Sequence, residues 1–389
     1  MKILHTCLAA FYIDKYGYQE NILPKIHKLQ GHNVHILAST ETYIENNKLG
    51  YVQPSSYVNE NNIPVTRIPY VKWIPHKIVK KLRIYKGISQ ILQEFKPDII
   101  FLHDIQFMSI VEIVKYAKDN INVKIYADGH TDFINSARNW ISKNILHKII
   151  YRWCAKQIEP FVKTFWGVIP LRVDFFIDVY GINKDKVDLL VMGVDDSVID
   201  ISKKEVIRKT IRDELNIKKD DFVIVTGGKI DKRKNIDKLM KVVNELNDDK
   251  IKLIIFGKPS EELENTINTL AQSKNIIMIG WIEPSKLYDY LFASDLAFFP
   301  GTHSVLWEQA VGVGLPCVFK RWKGIHHVDV GGNCIFIENG IEDEIREVLL
   351  KIYNNKTIYN NLKDIAIEKG IPEFSYFKIA QKAIGELND

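Results

Sequence analysis

The sequence predicts an α/β fold of two doubly wound parallel sheets, each in its own domain. Three observations predict it. Short apolar runs alternate with segments of helical period along the whole chain. The runs number twelve, too many for one compact nucleotide-binding sheet. The chain has 389 residues, enough to bury two cores.

In chain order the first half offers strands at 3–8, 34–38, 99–102, 123–127, 165–169 and 187–191. The second half offers 222–226, 252–256, 276–279, 296–299, 317–319 and 334–337. Between them lie helical spacings such as Ile236, Leu239, Val242 and Val243, or Leu349, Leu350 and Tyr353. Met192-Gly193-Val194-Asp195-Asp196 marks the expected boundary, and the charged stretch from Lys203 to Lys219 precedes the next strand. The reading is a first domain over 1–196, a second over 197–370, and a closing helical segment over 371–389 with Phe377, Ala380 and Ala383 at helical spacing.

Composition bounds the function. Hydrophobic residues at 46% and charged ones at 26% describe a globular chain, not a disordered or fibrous one. The net charge of +5 is uneven: residues 1–195 carry 25 Lys and Arg against 18 Asp and Glu. That bias suits an anionic acceptor or surface, and equally a lysine-rich solvated face. Cys7, Cys154, Cys317 and Cys334 are scattered, which argues against a zinc site or disulfide framework. Met1 to Ile13 reads as a first buried strand, since His5 interrupts the apolar run and Asp14-Lys15 follow in place of a cleavage site. No apolar run reaches the ~18–20 residues needed to span a bilayer. The expected location is cytoplasmic, with peripheral contact at the inner face of the membrane. No recognised nucleic-acid module occurs.

Two segments carry chemistry. Gly227-Gly228-Lys229-Ile230-Asp231-Lys232-Arg233-Lys234 follows an apolar strand. Glycines let backbone approach a ligand, and two cations five positions apart, Lys229 and Lys234, suit a diphosphate. Further on, Pro300-Gly301-Thr302-His303-Ser304 breaks a strand ahead of a helix carrying Glu308. Thr302, His303 and Ser304 are candidate caps for that helix, whose free N–H groups favour phosphate. Glu308 can accept from ribose hydroxyls or merely favour the helix dipole.

These two segments resemble the donor site of GT-B-fold glycosyltransferases of retaining family 4, built from two Rossmann-like domains facing a cleft. Lys229 and Lys234 match its Gly-Arg-x4-Lys segment, and Glu308 matches the second Glu of its Glu-x7-Glu segment. Pro300 stands where the first Glu is expected, a departure that bears on the donor sugar. The resemblance implies transfer of a sugar from a nucleotide-diphosphate sugar to a hydroxyl group of a glycan or lipid-linked acceptor, with retention and without metal or other cofactor. It implies donor contacts from Gly228, Lys229, Lys234, Gly301, Thr302, His303, Ser304 and Glu308. Gly280, Trp281 and Ile282, ending a strand, would meet the base; Trp281 is read either as a stacking platform or as core. Gly17 and Tyr18, in Tyr16-Gly17-Tyr18, would lie near diphosphate or acceptor, with a plain turn as the rival. His130 in Asp128-Gly129-His130-Thr131-Asp132 would face the donor sugar across the cleft from Glu308, with Asp128 and Asp132 beside it or the acceptor. His103-Asp104 ends another strand without an assigned role. The resemblance also implies that the closing helix returns to the first domain.

Two basic stretches, 72–86 and 140–156, carry apolar residues at helical spacing (Ile78, Leu82, Tyr85; Ile145, Ile149, Trp153). Such spacing first of all means core packing. With Lys80, Lys81, Arg83, Lys143, Lys148, Arg152 and Lys156 alongside, it also suits an anionic membrane carrying the acceptor. Two alternatives stand beside the transferase: an inactive nucleotide-sugar or partner-binding protein, and a sugar-nucleotide epimerase of the same fold.

Overall fold

The computed structural model describes residues 1–44, 48–132, 136 and 139–387. Contacts divide it into two compact units, one comprising Met1–Val191 together with the chain from Ile379 onward, the other Met192–Lys378.

The strands in chain order are β1 (Lys2–Cys7), β2 (Asn33–Ser39), β3 (Glu41–Tyr43), β4 (Leu49–Tyr51), β5 (Ser55–Val58), β6 (Pro64–Ile68), β7 (Ile99–His103), β8 (Lys124–Gly129), β9 (Val162–Gly167), β10 (Val187–Leu189), β11 (Phe222–Gly227), β12 (Ile251–Phe256), β13 (Ile276–Gly280), β14 (Leu296–Phe299), β15 (Cys317–Lys320) and β16 (Cys334–Ile337). The first unit holds an eight-stranded sheet in the order β10-β9-β8-β7-β1-β2-β6-β5, parallel except for the antiparallel edge strand β5. The second holds a fully parallel six-stranded sheet, β13-β12-β11-β14-β15-β16. β3 and β4 pair as a separate hairpin.

All twelve expected strands are present within a few residues of their expected ends. β9 starts earlier than expected, and Val168 and Ile169 instead lead into the helix Pro170–Asp178, where Pro170 opens the first turn. β3 to β6 were not expected. Pro64 heads β6 and Arg67 is buried within it, while β5 reads Ser-Ser-Tyr-Val at the sheet edge. Neither offers a continuous apolar run. Both parallel sheets need cover on both faces, hence their apolar strands. Leu4, Leu37, Ile100, Leu102, Ile125 and Phe165 pack in one core, and Ile224, Leu253, Ile255, Leu296, Phe298 and Val318 in the other.

The segment after Lys203 is a helix, Lys204–Glu214, whose Arg208 and Arg212 both reach Asp295 at the head of β14. The last helix, Tyr376–Ala383, ends in the first unit, where Trp166 Nε1 donates to the Ala383 carbonyl at 3.0 Å.

The two basic stretches differ from the core reading. In the wide helix Ser142–Tyr151 and the following Arg152–Ile158, Leu146, His147, Ile150 and Cys154 turn inward. Ile145, Ile149 (62% exposed) and Trp153 face out, with Trp140 (68%) beside them. In 72–86 only His76–Leu82 is helical; Ile78 is exposed and Tyr85 buried, so the expected stripe is split. No helix among the described residues is long and apolar enough to cross a membrane.

Candidate active site

In a doubly wound sheet, loops leave a crevice at the carboxyl ends of the strands where the connection order reverses. In the second sheet that point lies between β11 and β14, since β11 is followed by β12 on one side and joined to β14 on the other. The loops leaving those two strands are 228–235 and 300–305, the two segments that the sequence singles out.

They are bound to each other. Lys234 Nζ donates to the Thr302 carbonyl at 2.7 Å and the His303 carbonyl at 3.2 Å. Thr302 N–H donates to the Arg233 carbonyl at 3.0 Å, and Asn235 Nδ2 to the Pro300 carbonyl at 3.0 Å. A Cβ at Gly301 would collide with the Arg233 carbonyl and the Lys234 backbone, so only glycine allows this approach. Gly228 has φ +102°, and its carbonyl lies where a side chain at Gly257 would begin. Burial brings the Lys234 ammonium down to about 8. Lys229 is exposed, and Arg233 is tied to Asp231 at 2.6 Å. The expected pair of cations is thus one exposed lysine and one anchored lysine.

The expected caps do not form. The helix is Leu306–Gly312, seven residues, with Val305 at its N-cap and no side-chain cap bond. Ser304 supplies only its carbonyl, to Trp307 N–H at 3.0 Å, and its hydroxyl is buried without a partner. The loop's bonds to Lys234 and Arg233 fix these residues instead.

Glu308 is fully buried. Its Oε1 accepts from His303 Nε2 and from His327 Nε2, each at 2.8 Å. Burial opposes its charge, but His303 and His327 outweigh that and hold the carboxyl well below its usual range. Glu308 Oε2 and His327 Nδ1 are buried without hydrogen-bond partners. Of the three, His303 is the residue with a partly open side chain, 15% exposed. His327 was missed in the sequence, because it comes from a loop nineteen residues on and belongs to no motif.

Gly280 ends β13 at φ +78°, and its carbonyl accepts from Gly257 N–H at 2.6 Å. Trp281 is 66% exposed, which removes the core reading of that residue; Ile282 is half-buried.

In the first unit the corresponding reversal lies between β1 and β7. His103 ends β7 and Asp128 is paired with it in register on β8. His103 Nδ1 lies 2.9 Å from Asp128 Oδ2, and His130 Nε2 3.4 Å from the same oxygen. His130 N–H donates to Asp104 Oδ1 at 3.1 Å. Burial works against charge on His130, but Asp128 outweighs it and raises the imidazole to about 9. Asp132 accepts from Arg172 Nε at 3.3 Å. Gly17 has open space around it and no positive φ, so its conformation does not require glycine. Tyr18 is the N-cap residue of the helix Gln19–Leu29, and its neighbour Gln19 Nε2 reaches Asp128 Oδ2 at 3.3 Å. The sequence leaves His103, Asp104, His5 and His27 unassigned; strand register places His5 and His103 in one sheet, and packing of the helix Gln19–Leu29 brings His27 to them.

Two groups bring three metal-capable atoms within 4.8 Å: His103, Asp128 and His130, and His303, Glu308 and His327. In each the atoms already engage one another through imidazole–carboxylate contacts, and we assign neither to a metal.

A family model described as "Glycosyl transferases group 1" matches residues 207–369. Among curated proteins the chain is 26% identical over 246 residues to the "Uncharacterized 41.2 kDa protein in cps region" of Klebsiella pneumoniae, covering 62% of each. It is 24% identical over 176 residues to the alpha-galactosylglucosyldiacylglycerol synthase of Streptococcus pneumoniae, covering 43% of this chain and 45% of that protein. The aligned part thus spans less than two thirds of either relative. Among solved structures it is similar to Anabaena HepE in complex with UDP, with TM-score 0.65, 15% identity and 98% of both chains covered. The fold is therefore the two-parallel-sheet architecture of GT-B proteins.

Proposed function

We propose that this chain is a glycosyltransferase of surface-glycan synthesis that moves a sugar from a nucleotide-diphosphate sugar to a hydroxyl acceptor, with retention and without a metal. The observation that carries this is Lys234, bonded across the sheet's reversal point to the Thr302 and His303 carbonyls, with Gly228 and Lys229 on the same loop. It lies inside the segment matched by the family model.

When the bond from anomeric carbon to phosphate breaks, negative charge grows on the leaving diphosphate. A pre-placed cation there lowers the barrier, by ~3 kcal/mol for a well-aimed donor group. Lys234 keeps an N–H beyond its two carbonyl bonds for that purpose, and exposed Lys229 supplies the second charge. Gly301, Thr302, His303 and Ser304 form the sugar-side loop, with His303 as its outward edge. Glu308 orients His303 and offers ribose its unpartnered oxygen. Gly280, Trp281 and Ile282 serve the base. His130 addresses the donor sugar and Gly17 its diphosphate, and Tyr18, Asp128 and Asp132 lie on the acceptor side.

A lipid-linked acceptor is favoured by the outward row Trp140, Ile141, Ile145, Ile149 and Trp153, flanked by exposed Lys143, Lys148, Arg152 and Lys156. In 72–86 Lys80 is paired with Glu41 and Arg83 turns to the Gln106 carbonyl, just as Lys156 is paired with Glu159 and Arg152 turns to the Val179 carbonyl, so it is the outward apolar row that favours the 140–156 stretch. Replacing Trp140 and Ile149 with Ser should release the protein from anionic vesicles while donor affinity stays unchanged; equal sedimentation of both proteins would make the acceptor soluble.

The central test is a panel of labelled nucleotide sugars, scored for thermal shift and for transfer or hydrolysis with and without chelator. Turnover of one donor that survives chelator, with the anomeric configuration kept in the product, is expected. Binding without turnover would leave an inactive binder, and loss of activity with chelator would end the metal-free reading.

A further inference from the structure

Behind His130 the first unit buries a continuous string of imidazoles. His27 Nε2 lies 2.8 Å from the Ala380 carbonyl. His27 Nδ1 meets His5 Nε2 at 3.0 Å, and His5 Nδ1 meets His103 Nε2 at 3.0 Å. His103 Nδ1 then meets Asp128 Oδ2 at 2.9 Å. His5, His27 and His103 are fully buried.

A carbonyl only accepts, so the direction of every bond follows from Ala380. His27 must carry its proton on Nε2, and burial holds it neutral, at about 3, so its Nδ1 accepts. His5 therefore donates from Nε2. Burial and its two histidine neighbours keep His5 neutral as well, so its Nδ1 accepts from His103 Nε2. At the end of the string, His103 already carries a proton on Nε2, yet its Nδ1 faces a carboxylate. One more proton must sit between His103 and Asp128. Asp128 Oδ1 also accepts from the Asp104 N–H at 3.2 Å, and Oδ2 is approached by Gln19 Nε2 and His130. Several donors on one carboxylate select its ionised form, which leaves the proton on His103.

We propose that His27, His5 and His103 are positioning residues, a one-way string that fixes a proton on His103 and so holds an ionised but charge-balanced Asp128 against His130. Only the last link rests on the reading of His130 as a site residue; the proton's placement does not. The charged groups facing His130 are Asp128 near the end of β8, Asp104 after β7 and Glu20 on the helix Gln19–Leu29. With His103 neutral, these three would face His130 uncompensated. The string begins at Ala380 in the last helix, so the seating of that helix sets the protonation of the pair beside His130.

Nitrogen-15 NMR of the full chain labelled at histidine tests this near pH 7.5. Expected are His103 protonated on both nitrogens, and His5 and His27 each protonated on Nε2 alone. A His103 signal with a single proton overturns the proposal. The variant His103→Asn keeps a donor toward Asp128 but no charge, and it should raise the titration of His130 by ~0.5–1 unit. The limb of the turnover profile that reports His130 should move with it, while nucleoside diphosphate affinity stays unchanged. An unmoved His130 titration would overturn the coupling. If His130→Ala leaves turnover normal while the NMR result stands, it is the reading of His130 that fails and not the string.

Discussion

Each unit places a buried carboxylate between histidines near or beyond the carboxyl ends of its strands, yet the two clusters are finished differently. Asp128 has both oxygens engaged, and the imidazole behind it continues through two more rings to a carbonyl. Glu308 has two imidazoles on one oxygen and nothing on the other, and His327 Nδ1, Ser304 Oγ and Trp307 Nε1 close by are likewise buried and unpartnered. Native interiors leave few polar atoms orphaned, so a concentration of them marks where a ligand or its water belongs. Gln19 Oε1, beside Asp128, is also buried without a partner, but both carboxylate oxygens of Asp128 are engaged; in that sense the first cluster is closed, and the second, on the proposed function, is the one open to hydroxyls or phosphate.

The comparison breaks most readily by substitution at the two carboxylates. Asp128→Asn strips the charge from a pair with no other outlet and should cost ~3–5 kcal/mol. Glu308→Gln can still accept from one imidazole through its carbonyl and should cost ~1–3 kcal/mol. Urea unfolding followed for each unit by hydrogen exchange gives both values; equal losses would mean that the clusters are equivalent.

Nucleoside diphosphate comes next in size. At a concentration one hundred times Kd it should stabilise the second unit by ~2.7 kcal/mol, with protection concentrated at 228–235 and 300–308. Protection centred on Asp128 would reverse the assignment of open and closed.

Lys234→Ala should slow turnover at least tenfold, ~1.4 kcal/mol, and weaken nucleoside diphosphate much more than free nucleoside. Equal weakening of the two ligands would remove Lys234 from the phosphates.

The smallest effect is a difference in acid response. His5, His27 and His147 have lowered values, the last two at about 3 and about 4, so the unfolded chain binds more protons than the folded one. Their contribution is whole above ~6.5 and is lost as pH falls toward those folded values. Glu308 is lowered from the glutamate range, so its contribution is lost only below ~4.5. The first unit should therefore open earlier on acidification, between about pH 6 and 4 by hydrogen exchange. Simultaneous opening would contradict the contrast.

What was legible in the sequence follows the range of the signal. Phe222–Gly227 and Leu296–Phe299 announce themselves as unbroken apolar runs, and their loops carry glycines and cations within a few residues. Lys234 was picked out of the run Lys232-Arg233-Lys234 by its match to the Gly-Arg-x4-Lys segment that the chain resembles, but its bond to Thr302 depends on β11 lying next to β14. Glu308 was visible for the same local reason, whereas its burial under His327 was not. The histidine string was out of reach, because His5, His103 and Asp128 meet only once β1, β7 and β8 are in register, and His27 joins them only once the helix Gln19–Leu29 packs on β1. The face of the 140–156 helices stayed open in the sequence because period fixes which residues share a side, not which side is wet.

The backbone contacts beneath the candidate donor loops divide the site into frame and trim. Gly228 and Gly257 touch through backbone, and Gly301 rests on the Arg233 carbonyl and Lys234, so no side chain can be grafted at Gly257 or Gly301 without prising the loops apart. Lys229 and Trp281 stand clear of that frame, and His303 shows only its edge. A protein engineer seeking a different donor would leave the glycines alone and randomise those three, and drift among natural variants should be written at the same addresses.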